Sequence, residues 1–142
     1  MISPHFVLVQ QSFEAIRPIA PVAAELFYAK LFDLDPSLRP MFKGDIKRQG
    51  ELLMTMLGAA VKGLNNLDSL VPAVKKLGAR HVGYGVIDAH YATVGNALIY
   101  TLEAALGPDF TIAVRDAWLA VYSLLTNVMK QGADEAAMAI AA

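Results

Sequence analysis

The chain has 142 residues, 56% of them apolar and 18% charged, with twelve basic against thirteen acidic side chains, a formal charge of −1 and no cysteine. That length suits one domain with its own core, and near-neutral charge with no basic run among the aromatics argues against nucleic acid as a partner. Without cysteine there is no disulfide framework, thiolate nucleophile or thiolate metal site, and the reducing cytoplasm is the expected setting.

The apolar fraction exceeds the soluble average, which predicts either unusual burial or apolar surface reserved for something bound, such as an apolar cofactor. A membrane span is not expected. The best apolar run, Trp118 to Met129, contains Ser123, Thr126 and Asn127 and falls short of the roughly 18 residues a span needs. The N-terminal stretch has no basic leader and no small-residue cleavage site, so it does not read as a signal peptide.

Taken in order, the chain reads as helix after helix. Ser3 and Pro4 open the first, which runs to about Arg17, where Pro18 stops or kinks it. The second, from about Pro21 to Leu34, carries Val22, Ala23, Leu26, Phe27, Tyr28, Leu31 and Phe32 on its apolar side. Asp35 and Pro36 start a short helical turn, Pro40 ends it, and Met41 and Phe42 follow in an irregular corner. A phenylalanine in a corner has no regular helix face to bury against, so Phe42 must pack on something.

From about Asp45 a longer helix places Gln49, Leu53, Met56, Leu57 and Ala60 on one stripe. Arg48 is the rival at its head, since a one-residue shift in phase would bring it in. The Gln49 stripe is preferred because it stays apolar over three turns. After the LNNLDS interruption, Leu70, Val74 and Leu77 line the next helix, and His81 falls on the same face. Gly83 and Gly85 then break it.

An inward imidazole needs partners for both ring nitrogens, and a metal ion can hold one while the other donates a hydrogen bond. By itself the pattern also fits a core histidine satisfied by its neighbours. Asp88 caps a further helix with Tyr91, Val94, Leu98, Leu102 and Ala105 inside, closed by Gly107 and Pro108. Thr111 caps the last helix, with Val114, Trp118, Val121, Tyr122, Leu125 and Val128 at core spacing. Gly132 is expected to end it and the tail beyond to fray. No stretch alternates as a strand does, so the fold class is all-α.

Together, Tyr28 and Phe42 in FYAKLFDLDPSLRPMF, Gln49 and Leu53 on the next helix, and His81 in ARHVGYGVIDAHY resemble the bacterial single-domain haemoglobins and the globin domain of flavohaemoglobins. The likeness runs from about Pro18 to Met129 and takes in the paired lysines before His81, the HY pair at His90 and Tyr91, and DAW at Asp116 to Trp118. It implies one globin domain over residues 1–142, a three-on-three helical sandwich around haem b. By that resemblance Phe42 packs on the haem, His81 binds the iron, Tyr28 and Gln49 face the bound gas, and Leu53 forms the apolar wall one turn beyond; read from the residues alone, Tyr28 fits equally a core residue whose hydroxyl is satisfied by a backbone carbonyl. Val86 and Val94 are further expected haem contacts.

The chemistry suits those types. A ferrous haem that binds a diatomic gas needs one neutral imidazole, an open sixth position and a dry pocket. Bound O₂ carries partial negative charge, so a hydroxyl or amide donor stabilises it, whereas CO gains much less. Arg80, beside His81 but on a different face, fits either a charge-assisted partner of a haem propionate or an exposed arginine. Tyr91 matches the tyrosine that, in flavohaemoglobins, joins a glutamate in a network on the proximal histidine. The glutamate has no clear match: Ala133 stands in its place, with Asp134 and Glu135 next.

No flavin or nicotinamide domain is expected within the chain. The implied function is reversible O₂ binding, with oxidation of NO to nitrate when a separate flavin reductase supplies electrons. The competing readings are a haem-based gas or redox sensor and a haem-free globin-like interaction module.

Overall fold

In the computed structural model, which describes residues 4–42, 45–83 and 88–141, every regular element is helical, as the all-α reading requires. Helix α1 spans Pro4–Ile16 and buries Val9, Ser12, Phe13 and Ile16, three to four residues apart on one face. Pro18 turns its end into a short 3₁₀ stretch, Arg17–Ile19, before α2, Ala20–Leu34. Helix α2 buries Ala23, Ala24, Phe27, Tyr28 and Leu31.

The corner after α2 is built by Asp35, whose carboxylate accepts from Ser37 N at 3.1 Å and from Ser37 Oγ at 2.5 Å. A 3₁₀ turn, Pro36–Met41, follows, and Phe42 N closes it on Arg39 O at 3.1 Å. Asp45 then caps α3, Ile46–Gly63, accepting from Lys47 N at 2.9 Å. Helix α4 spans Leu67–Gly83 and α5 spans Asp88–Leu106. Gly107, at φ 56°, takes the left-handed conformation that ends α5 and leads into the turn Gly107–Asp109. Thr111 caps α6 as expected, its Oγ1 accepting from Val114 N at 3.2 Å.

Helix α6, Ile112–Ala141, corrects one expectation. Gly132 does not end it, and the stretch beyond continues as helix. A Cβ at Gly132 would lie 2.1 Å from the Lys75 carbonyl oxygen of α4, so this glycine serves a close helix crossing. The alanines and glutamate that follow are good helix formers and carry the element onward.

The most extensive packing is α4 on α6, followed by α1 on α6, α2 on α5 and α2 on α3. Two apolar clusters result. One joins α1, α3, α5 and α6 around Val9, Phe13, Leu102 and Trp118, which is 1% exposed and donates its indole N–H to Ser12 Oγ at 2.8 Å. The other gathers Phe27, Tyr28, Leu31, Leu38 and Ala97, with Phe32, Met41, Phe42, Ile46, Leu53, Val94 and Leu98 packed around them. Each large side chain so buried contributes roughly 1.5–3 kcal/mol. Among the described residues no helix is long and apolar enough to cross a membrane.

Candidate functional site

Helices α2 and α3 cross at Ala24 and Gly50, where a Cβ on the glycine would stand 2.9 Å from Ala24 Cβ. This close crossing sets the neighbouring residue, Gln49, against Tyr28. The Tyr28 hydroxyl donates to the Gln49 carbonyl at 3.3 Å, beyond the usual range for a hydroxyl donor and so weakly held. Tyr28 is 5% exposed, and burial pushes its pKa up to about 12, so the group stays a neutral donor at ordinary pH. Gln49 is half-buried while Arg48 is exposed, so the helix phase turns Gln49 toward the interior.

Phe42 packs edge-on against the Tyr28 ring at 5.3 Å and against Phe32 at 5.5 Å. Phe27 meets Tyr28 edge-on at 5.2 Å. Leu53 from α3 and Val94 from α5 close on the same cluster. Tyr28, Phe42, Leu53 and Val94 are thus brought together, with Gln49 joined through its main chain. A groove of about 410 Å³ runs between α1 and α3, lined by Phe13, Arg17, Met54, Gly58 and Lys62 among others, and none of the predicted site residues line it.

His81 is half-buried on α4, and its Nδ1 lies 2.7 Å from the Leu77 carbonyl oxygen. A carbonyl only accepts, so Nδ1 carries a proton, and in the neutral ring the lone pair that a metal requires then falls on Nε2. Leu77 was legible in the sequence only as part of the apolar stripe. Its second role follows from the i−4 spacing, which puts its carbonyl beneath the histidine ring.

Among the described residues no three His, Asp or Glu side chains gather where they could hold a bare metal ion.

On α5, the Tyr91 ring lies under Lys130 Nζ at 5.3 Å, and its carbonyl accepts from the Tyr122 hydroxyl at 2.5 Å. Burial, helped by Tyr91, drives the Tyr122 pKa far up, so this phenol also stays protonated. Its ring rests on Gly95, where a Cβ would come within 2.7 Å. Arg80 is exposed, and Val86 lies outside the described residues. Ala133 is half-buried on the continued α6, and Glu135 is drawn to Lys75 Nζ at 3.1 Å.

The globin family model matches residues 25–129. Neuroglobin of Danio rerio is 32% identical over 139 residues, covering 88% of this chain and 87% of that protein. Neuroglobin of Chaenocephalus aceratus matches with the same identity and coverage. Among solved structures, an engineered carbene transferase from Rhodothermus marinus superposes over the full length of both chains with a TM-score of 0.86 at 24% identity. A hexacoordinated haem protein from an anhydrobiotic tardigrade superposes with a TM-score of 0.83 at 17% identity, covering 94% of this chain and 96% of that one. The family model alone spans most of the sequence, and the chain belongs to the globins, a family of haem proteins that bind small gases.

Proposed function

We propose that the protein holds haem b through His81 Nε2 and binds O₂ reversibly, and that it oxidises NO to nitrate when an outside flavin reductase supplies electrons. The observation that carries this reading is the 2.7 Å contact from His81 Nδ1 to the Leu77 carbonyl, which selects the tautomer a haem ligand needs. When bound, the haem supplies a ferrous iron with a position open to a diatomic gas.

The chain's own residues supply the rest. Tyr28 and Gln49 offer a hydroxyl and an amide as donors to a partly charged ligand, and Leu53 keeps their surroundings apolar. Phe42, Val94 and, by the resemblance, Val86 give the macrocycle apolar walls. Tyr91 shares the α5 face beside them. Exposed Arg80 is available to a propionate as a charge-assisted partner. The joint presence of a buried phenol, a corner phenylalanine and a tautomer-fixed histidine favours this reading over a haem-free interaction module, in which nothing would require them together.

Haem retention tests it. The purified protein should carry non-covalent haem, and His81→Ala should lose most of it; an unchanged Soret band and haem stoichiometry in that variant would remove the assignment.

A further inference from the structure

Helix α4 carries His81, and its crossing with α6 is unusually close. A Cβ at Gly78 would lie 2.0 Å from the Met129 carbonyl oxygen, and one at Gly132 would lie 2.1 Å from the Lys75 carbonyl oxygen. Real Cβ atoms essentially never come within 3.0 Å of such an atom. The two contacts are reciprocal. The glycine of each helix receives the other's main chain, and Lys75 and Gly78 on α4 stand one turn apart, as do Met129 and Gly132 on α6. Because each obstacle is backbone, no rotamer change could relieve an added methyl group.

The same seam carries the Lys75–Glu135 ion pair at 3.1 Å. His81 follows Gly78 by three residues, and its ring is tied to the carbonyl of Leu77, the residue just before that glycine. The imidazole is thus oriented by a backbone segment that two glycines hold in place.

We propose that Gly78 and Gly132 are positioning residues for His81: their bare backbones lock α4 onto α6 at the depth that sets where Nε2 lies, through chain atoms alone. The proposal rests on the reading of His81 as the haem ligand. Any side chain at either glycine must part the helices and carry His81 with α4. The residues that orient a metal ligand typically change metal affinity by roughly 10- to 100-fold when altered.

The test compares Gly78→Ala and Gly132→Ala with Val9→Ala, a core variant in α1 at a site that is 0% exposed and takes no part in the Gly78 and Gly132 backbone contacts. Haem transfer to an acceptor globin gives the loss rate, and resonance Raman of the ferrous protein gives the iron–histidine band. Both glycine variants should lose haem roughly 10- to 100-fold faster than the parent and shift that band. Val9→Ala should lower Tm while leaving loss rate and band at parent values. Parent-like loss and an unshifted band in the glycine variants would overturn the proposal, as would equal haem loss from Val9→Ala at matched Tm.

His81→Gly separates the two levels of inference. If its band disappears and added imidazole restores it, His81 is the ligand and any failure belongs to the glycines; if the band persists, the ligand assignment fails and the proposal with it. Should the alanine variants not fold, amide hydrogen exchange of the haem-free parent decides. Protection from Lys75 to His81 is expected there, and exchange at unfolded rates would overturn the idea.

Discussion

At the level of single residues, the consequential group is the Tyr28 hydroxyl. It is buried and neutral, and its present bond to the Gln49 carbonyl is long at 3.3 Å, so turning toward a better acceptor sacrifices little. A hydrogen bond to a partly charged acceptor in a dry pocket is worth roughly 1.5–3 kcal/mol. Most of that should appear in the rate at which O₂ leaves. Tyr28→Phe keeps the ring among Phe27, Phe32 and Phe42 and removes only the donor. O₂ dissociation, followed by stopped-flow displacement with CO, should then speed up by roughly one to two orders of magnitude, with CO release changed far less. If Gln49 replaces the lost donor, the Tyr28→Phe, Gln49→Leu double variant will show a non-additive coupling. Release within about twofold of the parent in both variants would leave Tyr28 a packing residue. Much of this neighbourhood was legible in the sequence, because apolar periodicity places Tyr28 inward and prefers Gln49 to Arg48. That the hydroxyl could meet a backbone carbonyl was legible, whereas the identity of that carbonyl, Gln49 O, was not. Which carbonyl it meets depends on how closely α2 and α3 cross, and that depends on the lack of a side chain at Gly50.

At the level of helices, the glycines differ in what an added methyl group would meet. At Gly50 the obstacle is Ala24 Cβ at 2.9 Å, which has no torsion to rotate away. At Gly58 it is the Phe13 ring at 3.3 Å, which can tilt by a few tenths of an ångström. Gly50→Ala should therefore cost about 1–3 kcal/mol by overpacking, whereas Gly58→Ala recovers up to about 1 kcal/mol of helix propensity against a small strain. Thermal unfolding should show Tm falling clearly for the first and holding or rising for the second. Equal losses at both positions would mean that the ring at Phe13 is as immovable as the Ala24 Cβ. The same distinction explains where the helix boundaries were readable. Asp45, Thr111 and Gly107 act locally, through caps and a left-handed turn, and their roles follow from residue type and position. Gly132 acts through a neighbour 57 residues earlier in sequence, Lys75, and read locally it resembles a stop. Periodicity reports which face of a helix is buried, whereas it carries no record of how near the next backbone comes.

Across the whole molecule, the high apolar content divides between two clusters and an outer surface that still shows Ile112 at 80% and Val22 at 53% exposure. The cluster around Tyr28 collects side chains from α2, α3 and α5 with the corner between α2 and α3, so its residues come from four stretches of the chain that only the fold unites. The resemblance could name those residues one by one, but their grouping depends on crossings that no single stretch encodes. The electron balance of the proposed chemistry is also a property of the whole chain. Converting NO and O₂ to nitrate consumes one electron per turn, and with no cysteine these 142 residues hold no dithiol that could return it. The loaded ferrous protein exposed to O₂ and then NO should produce at most one nitrate per haem and stop in the ferric state. Adding a flavin reductase with its nicotinamide donor should turn the burst into steady consumption, limited by the reductase at low reductase concentration. An NO electrode and the visible haem spectrum, read together, distinguish the cases. Sustained NO loss without any reductant would show that the electron comes from elsewhere, and absence of nitrate even in the first turn would confine the protein to gas binding.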